Sequence, residues 1–196
     1  RDMVQQPDGK LVLVGWIGQV HTTAMAGIVR MGLDGTIDPL FDAGTGFPLE
    51  AGAVPRVIVR QPDGRFLVGG SFMAYGGSIR NNIVRILPDG AVDPSFDAGA
   101  GPNGTVRSIA VLPDGRILIA GDFLTVQGAF RPRMARLLAD GSLDGSFVPG
   151  SGPDGPVHCM HLGPDGRIVI GGAFSTVQGL TRSCIARLEA NGTLDS

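Results

Sequence analysis

The residues of this chain that could do chemistry are few and scattered. His158, Cys159 and His161, in the stretch VHCMHLG, are of the types that ligate zinc. On a strand, residues three apart point to opposite faces, so His158 and His161 do not share an ion. Cys159 and His161 do share a face, but two ligands do not make a metal site. His21 stands in a loop with no serine or cysteine nucleophile at a spacing that would make it a general base. Arg1, Arg56, Arg107 and His158 each lie six residues before a recurring proline. On equivalent inner strands they would ring a central channel, where clustered cations need a bound anion or local acidic and carbonyl partners. Trp16 occupies the position held elsewhere by Ser71, Asp122 and Ala173. A lone aromatic there either stacks on a sugar or fills an interface. Arg1, Arg56, Arg107, His158 and Trp16 are therefore the candidate ligand-binding residues; no catalytic residue, metal or cofactor is expected.

Two stretches, Gly99–Gly104 and Gly150–Gly155, match the G-x-G-x-x-G form of a dinucleotide fingerprint. That motif needs a helix after it, because the helix N-terminus holds the pyrophosphate. Here another strand follows, so both read as turns. Net charge is −2, with 16 basic and 18 acidic residues, which gives no surface suited to blanketing nucleic acid or an anionic membrane. No apolar run approaches the ~20 residues of a membrane span. Glycine and proline together make 46 of the 196 residues, a density that suits many short strands joined by turns.

Pro-Asp-Gly recurs at Pro7, Pro62, Pro113 and Pro164, at spacings of 55, 51 and 51 residues. A second turn at Asp34, Asp89, Asp140 and Asn191 follows the Asp of the first by 26 residues every time. Phe41, Phe96 and Phe147 each follow the Pro by 34. Constant offsets of this kind identify an internal repeat. In the third copy, Val106–Leu112 and Arg116–Gly121 flank the first turn, and Arg133–Leu138 and Ser142–Phe147 flank the second. Pro presets φ, Asp suits the next position and Gly supplies the positive φ that closes each hairpin. The runs Leu11–Val14, Ile117–Ala120 and Ile168–Ile170 are apolar on both faces, so they must be covered on both sides. The expected fold is all-β, with four four-stranded β-propeller blades at about 1–52, 53–104, 105–155 and 156–196 of a single array. Four copies, cut inside a repeat at both ends, suggest part of a larger ring or one completed by another chain; a closed four-bladed ring is the alternative.

The pattern PDG[RK] followed by an apolar run, G-x-F, and ARL-x-ADGSLD-x-SF resembles the delta-60 repeat family, bacterial propeller-forming repeats often found in large secreted or surface proteins. The third copy, GDFLTVQGAFRPRMARLLADGSLDGSF, and the fourth, GAFSTVQGLTRSCIARLEANGTLDS, carry it best. The first departs from it at Ile17, Thr22 and Met25. The resemblance implies an extracellular or cell-surface location and no shared chemistry. A non-catalytic scaffold or binding module for a protein or glycan is the expected function, with the partner held by loops after the second and fourth strands. The alternatives are a structural repeat of a filament or stalk, or the substrate-binding propeller of a carbohydrate-active hydrolase or lyase. Further blades of a parent chain, or a homo-oligomer, are also possible partners.

Three details remain. Arg30/Asp38, Arg85/Asp93, Arg136/Asp144 and Arg187/Asp195 are each eight apart across the second turn, which reads as structural charge pairing. Cys159 and Cys184 lack counterparts in the other copies and read as buried small residues. The four extra residues of the first spacing fall in Gly46–Val54, a surface connector that either contacts a partner or reflects drift.

Overall fold

The computed structural model describes residues 1–195. Each repeat builds one small antiparallel sheet with its second strand in the middle. Sheet 1 is Asp2–Gln5, Leu11–Val14 and Ile28–Met31; sheet 2 is Val54–Arg60, Phe66–Ser71 and Ile83–Ile86. Sheet 3 is Val106–Val111, Ile117–Gly121 and Met134–Leu137; sheet 4 is Val157–Leu162, Ile168–Gly172 and Ile185–Leu188. A two-residue ribbon in each repeat, such as Thr125–Val126 with Ala129–Phe130, links the second strand to the third. Among the described residues the only helical element is a 3-10 turn at Leu49–Ala51, and no helix is long and apolar enough to cross a membrane. The architecture is that of β-propeller blades.

The Pro-Asp-Gly hairpins close as their chemistry requires. In the third repeat the Gly115 N–H donates to the Leu112 carbonyl at 2.9 Å, with Gly115 at φ 85°, and the Asp114 carboxylate accepts from the Arg116 N–H. The fourth segment of each repeat departs from the expected strand. It pairs with the third through a single bridge, Leu137 to Leu143 in the third repeat. Its ladder stops because Asp144 turns the chain: its side chain accepts from the Ser146 N–H at 2.9 Å and its carbonyl from the Phe147 N–H at 3.4 Å.

The chain forms two compact units, Arg1–Phe96 and Asp97–Ser196. In the first, Val12, Val14 and Ile28 of sheet 1 pack on Ile58, Phe66 and Val68 of sheet 2. In the second, Leu118, Ala120 and Met134 of sheet 3 pack on Ile168, Ile170 and Leu188 of sheet 4. The middle strand of sheet 3 is buried along its length, as its two-faced apolar run requires. The middle strands of sheets 1 and 4 are buried at alternate residues only, with Leu11, Leu13 and Val169 half-buried.

The connector Gly46–Val54 is anchored in the core near its start, while its Pro48, Glu50 and Gly52 stay exposed. Phe47 is buried among core residues, with its ring centroid 4.7 Å from those of both Phe72 and Tyr75. The cysteines are a second correction, since both Cys159 and Cys184 are exposed free thiols. They lie on first and third strands of sheet 4 or beside them, where no second sheet among the described residues covers them.

Candidate functional site

In the second, third and fourth repeats the cation position is set by a β-bulge. The ladder between first and second strands slips by one residue between Pro55 and Val57, between Val106 and Ser108, and between Val157 and Cys159. The extra residues are Arg56, Arg107 and His158. A bulge leaves one residue unpaired and re-aims its side chain. Opposite lies a glycine in each case, because a Cβ at Gly70, Gly121 or Gly172 would drive into the carbonyl of Val54, Thr105 or Pro156. The next residue along, Ser71, Asp122 or Ala173, is the repeat counterpart of Trp16. Bulge residue and post-glycine residue thus form a two-residue rim in each of these three repeats, and Arg1 and Trp16 hold the equivalent positions in the first.

The four rims differ in chemistry. Arg107 grips Asp122 bidentately, Nε to Oδ1 at 2.6 Å and Nη2 to Oδ2 at 2.7 Å, with roughly a quarter to a third of each side chain exposed. Hydrogen bonding to Asp122 raises the proton affinity of Arg107. Burial opposes charge on Asp122, but Arg107 outweighs it and holds the carboxyl below its usual range. Arg56 and Ser71 are half-buried, and His158 and Ala173 are exposed. The Arg1 ammonium donates to the Val14 carbonyl at 3.0 Å, and Trp16 is 60% exposed.

The outer hairpins hold a denser charge cluster than the eight-residue pairs alone. Arg30, Arg85 and Arg136 each donate Nε to the paired Asp at 2.7–2.9 Å; Arg187 does the same to Asp195. The guanidinium carbons of Arg30, Arg85 and Arg136 also lie 5.0–5.2 Å from the ring centroids of Phe41, Phe96 and Phe147. A second cation, from the position after each Pro-Asp-Gly, joins the same carboxylate: Lys10 to Asp38 at 2.7 Å, Arg65 to Asp93 at 3.0 Å, Arg116 to Asp144 at 3.4 Å and Arg167 to Asp195 at 3.5 Å. The sequence reading missed these partners, although the 28-residue offset is as constant as the others. The hydrogen bond from Lys10, then the Leu40 N–H, pull Asp38 down to about 2. For Asp93 and Asp144 burial opposes ionisation; Ser95 and Ser146, with the arginines, outweigh it and hold both carboxyls low.

His21 Nε2 lies 3.2 Å from the Gly35 carbonyl, and His158 and His161 are exposed. Among the described residues no three His, Cys, Asp or Glu side chains gather as metal ligands would.

The family model described as "Domain of unknown function (DUF5122) beta-propeller" matches four times, at residues 6–41, 61–96, 112–147 and 163–196. Among solved structures, a gluconolactonase from Xanthomonas campestris is similar at a TM-score of 0.59 and 16% identity, over 99% of this chain and 60% of that one. The chain therefore spans less than two thirds of that structure's length. A putative gluconolactonase aligns at a TM-score of 0.44 and 16% identity over 94% and 56% of the two chains. A Bacteroides caccae protein aligns at 0.38 and 15% over 98% and 78%. No curated protein matches the chain.

Proposed function

The chain belongs to the DUF5122 β-propeller family, and from that premise we propose that it is a non-catalytic scaffold or binding module of the delta-60 kind, holding a protein or glycan partner outside a bacterial cell or at its surface. The observation that carries this reading is the pair of rim positions that each repeat holds. Turns, charge clusters and core positions recur from repeat to repeat, whereas the rims read Arg1/Trp16, Arg56/Ser71, Arg107/Asp122 and His158/Ala173. Positions that vary while their frame repeats are those free to serve a partner. Tryptophan and arginine are also the side chains that dominate binding energy at interfaces, and Trp16 and Arg1 are exposed. The arginines suit carboxylate or sulfate groups, and Trp16 suits the face of a sugar ring.

Among the described residues, every carboxyl displaced from its ordinary proton affinity is displaced downward, by turn N–H groups, hydroxyls, guanidiniums or, at Asp38, the Lys10 ammonium. A general acid working near neutral pH needs the opposite shift. A sugar-lactone hydrolase is the competing reading, and its support is a shared architecture at 16% identity. Thermal melting with sulfated polyanions, neutral glycans and calcium, beside a lactone-hydrolysis assay, separates the two. A bound ligand at 100 times its Kd stabilises by about 2.7 kcal/mol, a shift of a few degrees. The expected result is such a shift with a polyanion or glycan, diminished in Arg107→Ala and Trp16→Ala. Saturable lactone turnover that disappears in Asp122→Asn overturns the non-catalytic reading.

A further inference from the structure

Both ribbons of the second unit are capped by a side chain from the connector before them. In the fourth repeat the Asp154 carboxylate accepts from the Ser175 and Thr176 N–H groups at 2.8 and 3.1 Å. The Ser175 hydroxyl and these N–H groups hold that carboxyl well below its usual range, so the seat favours a charged oxygen. In the third repeat the Asn103 amide oxygen accepts from the Leu124 and Thr125 N–H groups at 2.8 and 3.0 Å. Each capping residue also pairs through its backbone. The Asp154 N–H donates to the Thr176 carbonyl at 3.1 Å, and the Asn103 N–H to the Thr125 carbonyl at 3.0 Å.

In the second repeat the same seat stands open. The capping position is Gly52, and the donors are the N–H groups of Met73 and Ala74. Phe47 anchors this connector instead, and the Gly52 N–H turns back to the Leu49 carbonyl at 2.9 Å, not to Ala74. The Met73 N–H has no acceptor among the described residues. The Ala74 N–H faces away from its ribbon partner, because Ala74 and Ile79 form the pair next to the bond from the Arg80 N–H to the Met73 carbonyl. The connector also stands farther off. A Cβ at Gly104 would crowd Phe123, and one at Gly155 the Ala173 carbonyl, yet Ala53 at the equivalent position carries that Cβ. The space left is a cavity of about 190 Å³ between Pro48, Gly52 and Ala53 of the connector and Ser71, Met73 and Asn82 of the repeat. One water takes up about 30 Å³ of liquid, so a carboxymethyl group fits. The described lining carries no acidic side chain, and Ser71 stands where the third repeat has Asp122. Connector and ribbon both lie inside Arg1–Phe96, so no further repeat is needed to form the cavity.

We propose that this cavity takes a carboxylate from a partner protein, an aspartyl side chain on an extended acidic segment. The carboxylate accepts from the Met73 and Ala74 N–H groups, successive donors of the kind that cradle anions. The partner's backbone N–H donates to the Ala74 carbonyl, as the connector's own residue does in the third and fourth repeats. A uronic acid supplies the carboxylate but not that N–H, which is why the occupant is a peptide. The proposal rests on the binding-module reading and names the chemistry held at one repeat.

The probe is the capped tripeptide acetyl-Gly-Asp-Gly-amide, titrated into the isotope-labelled chain and read from amide NMR shifts. The Met73 and Ala74 amides should move downfield and saturate in the millimolar range. Those of Leu124 and Thr125, already engaged by Asn103, should stay in place. The Asn tripeptide should bind about tenfold more weakly, and the Ala tripeptide should leave both amides unmoved. Ser71→Asp sets a repelling carboxylate beside the cavity, where Asp122 sits in the third repeat, and should abolish the response. Gly52→Asn, at a left-handed φ of 81° that asparagine tolerates, serves the same purpose should that variant fail to fold. Unmoved Met73 and Ala74 amides, equal binding of the Ala tripeptide, or a response that survives in the blocked variant overturns the proposal. Glucuronate bound more tightly than the Asp tripeptide overturns it too and assigns the cavity to a sugar acid. A flat titration leaves the binding-module reading to its own test, since the melts with polyanions and glycans probe Arg107 and Trp16.

Discussion

The two joins between successive repeats, one inside each unit, are built differently. In the second unit the connector Gly150–Gly155 is short and polar. Asp154 accepts from the N–H groups of Ser175 and Thr176 at 2.8 and 3.1 Å and from the Ser175 hydroxyl at 2.6 Å. Gln178 then donates to the Gly192 carbonyl at 2.8 Å. In the first unit the residue at the Asp154 position is Gly52, which has no side chain to accept, and the residue at the Gln178 position is Gly76. Both lost functions are replaced from elsewhere. The longer connector sends Phe47 into the core against Phe72 and Tyr75, and the Tyr75 hydroxyl donates to the Gly90 carbonyl at 2.6 Å. One blade-to-blade geometry is thus tied by an accepting carboxylate in one place and by buried aromatics in another. The blade constrains where a connector must be anchored and leaves open by what.

The sharpest way to break this comparison is Phe47→Ala. Removing a fully buried phenylalanine should cost about 3–5 kcal/mol, read by denaturant melting and by lost amide protection in sheets 1 and 2. A cost near that of a surface substitution would show that the connector, not its aromatic ring, makes the join. Next comes the buried arginine of the charge cluster. Arg136→Ala removes a side chain only 6% exposed and leaves Asp144 to Arg116 and Ser146; it should cost about 3 kcal/mol in the same melts. Arg187→Ala, at an exposed pair, should cost under about 1 kcal/mol. Equal losses would mean that burial does not set the value of these pairs.

The smallest effect belongs to Asp154. Hydrogen bonds from Ser175 and Thr176 hold its carboxyl well below the usual range. A lowered folded-state pKa contributes stability that is present above the unfolded value near pH 4 and is lost as pH falls through the folded one. Amides of Gly150–Gly155 should therefore lose exchange protection below about pH 4 before those of Gly46–Val54, whose aromatic anchor does not titrate. Asp154→Ala should lower the melting temperature less than Phe47→Ala. Asp154→Asn should melt like wild type at neutral pH and abolish the acid effect, because Asn103 already accepts from the Leu124 and Thr125 N–H groups in that role.

Features written within a few residues could be read directly from the chain. The Pro-Asp-Gly hairpins, the period, the all-β class and the partners of the eight-residue Arg and Asp offset depend on local φ preferences and strand alternation, which tertiary structure does not alter. The second cation of each charge cluster was equally legible, since Lys10, Arg65, Arg116 and Arg167 keep one offset from the same Asp. Other features needed the fold. Whether Phe47 meets a partner or a core depends on Tyr75 and Phe72, about 25 residues away in the chain. Whether Cys159 is buried depends on a covering sheet, which nothing in its own strand specifies. The bulges that present Arg56, Arg107 and His158 arise where carbonyls of one strand press on glycines of another, a steric condition between chain segments that exists only once they are paired.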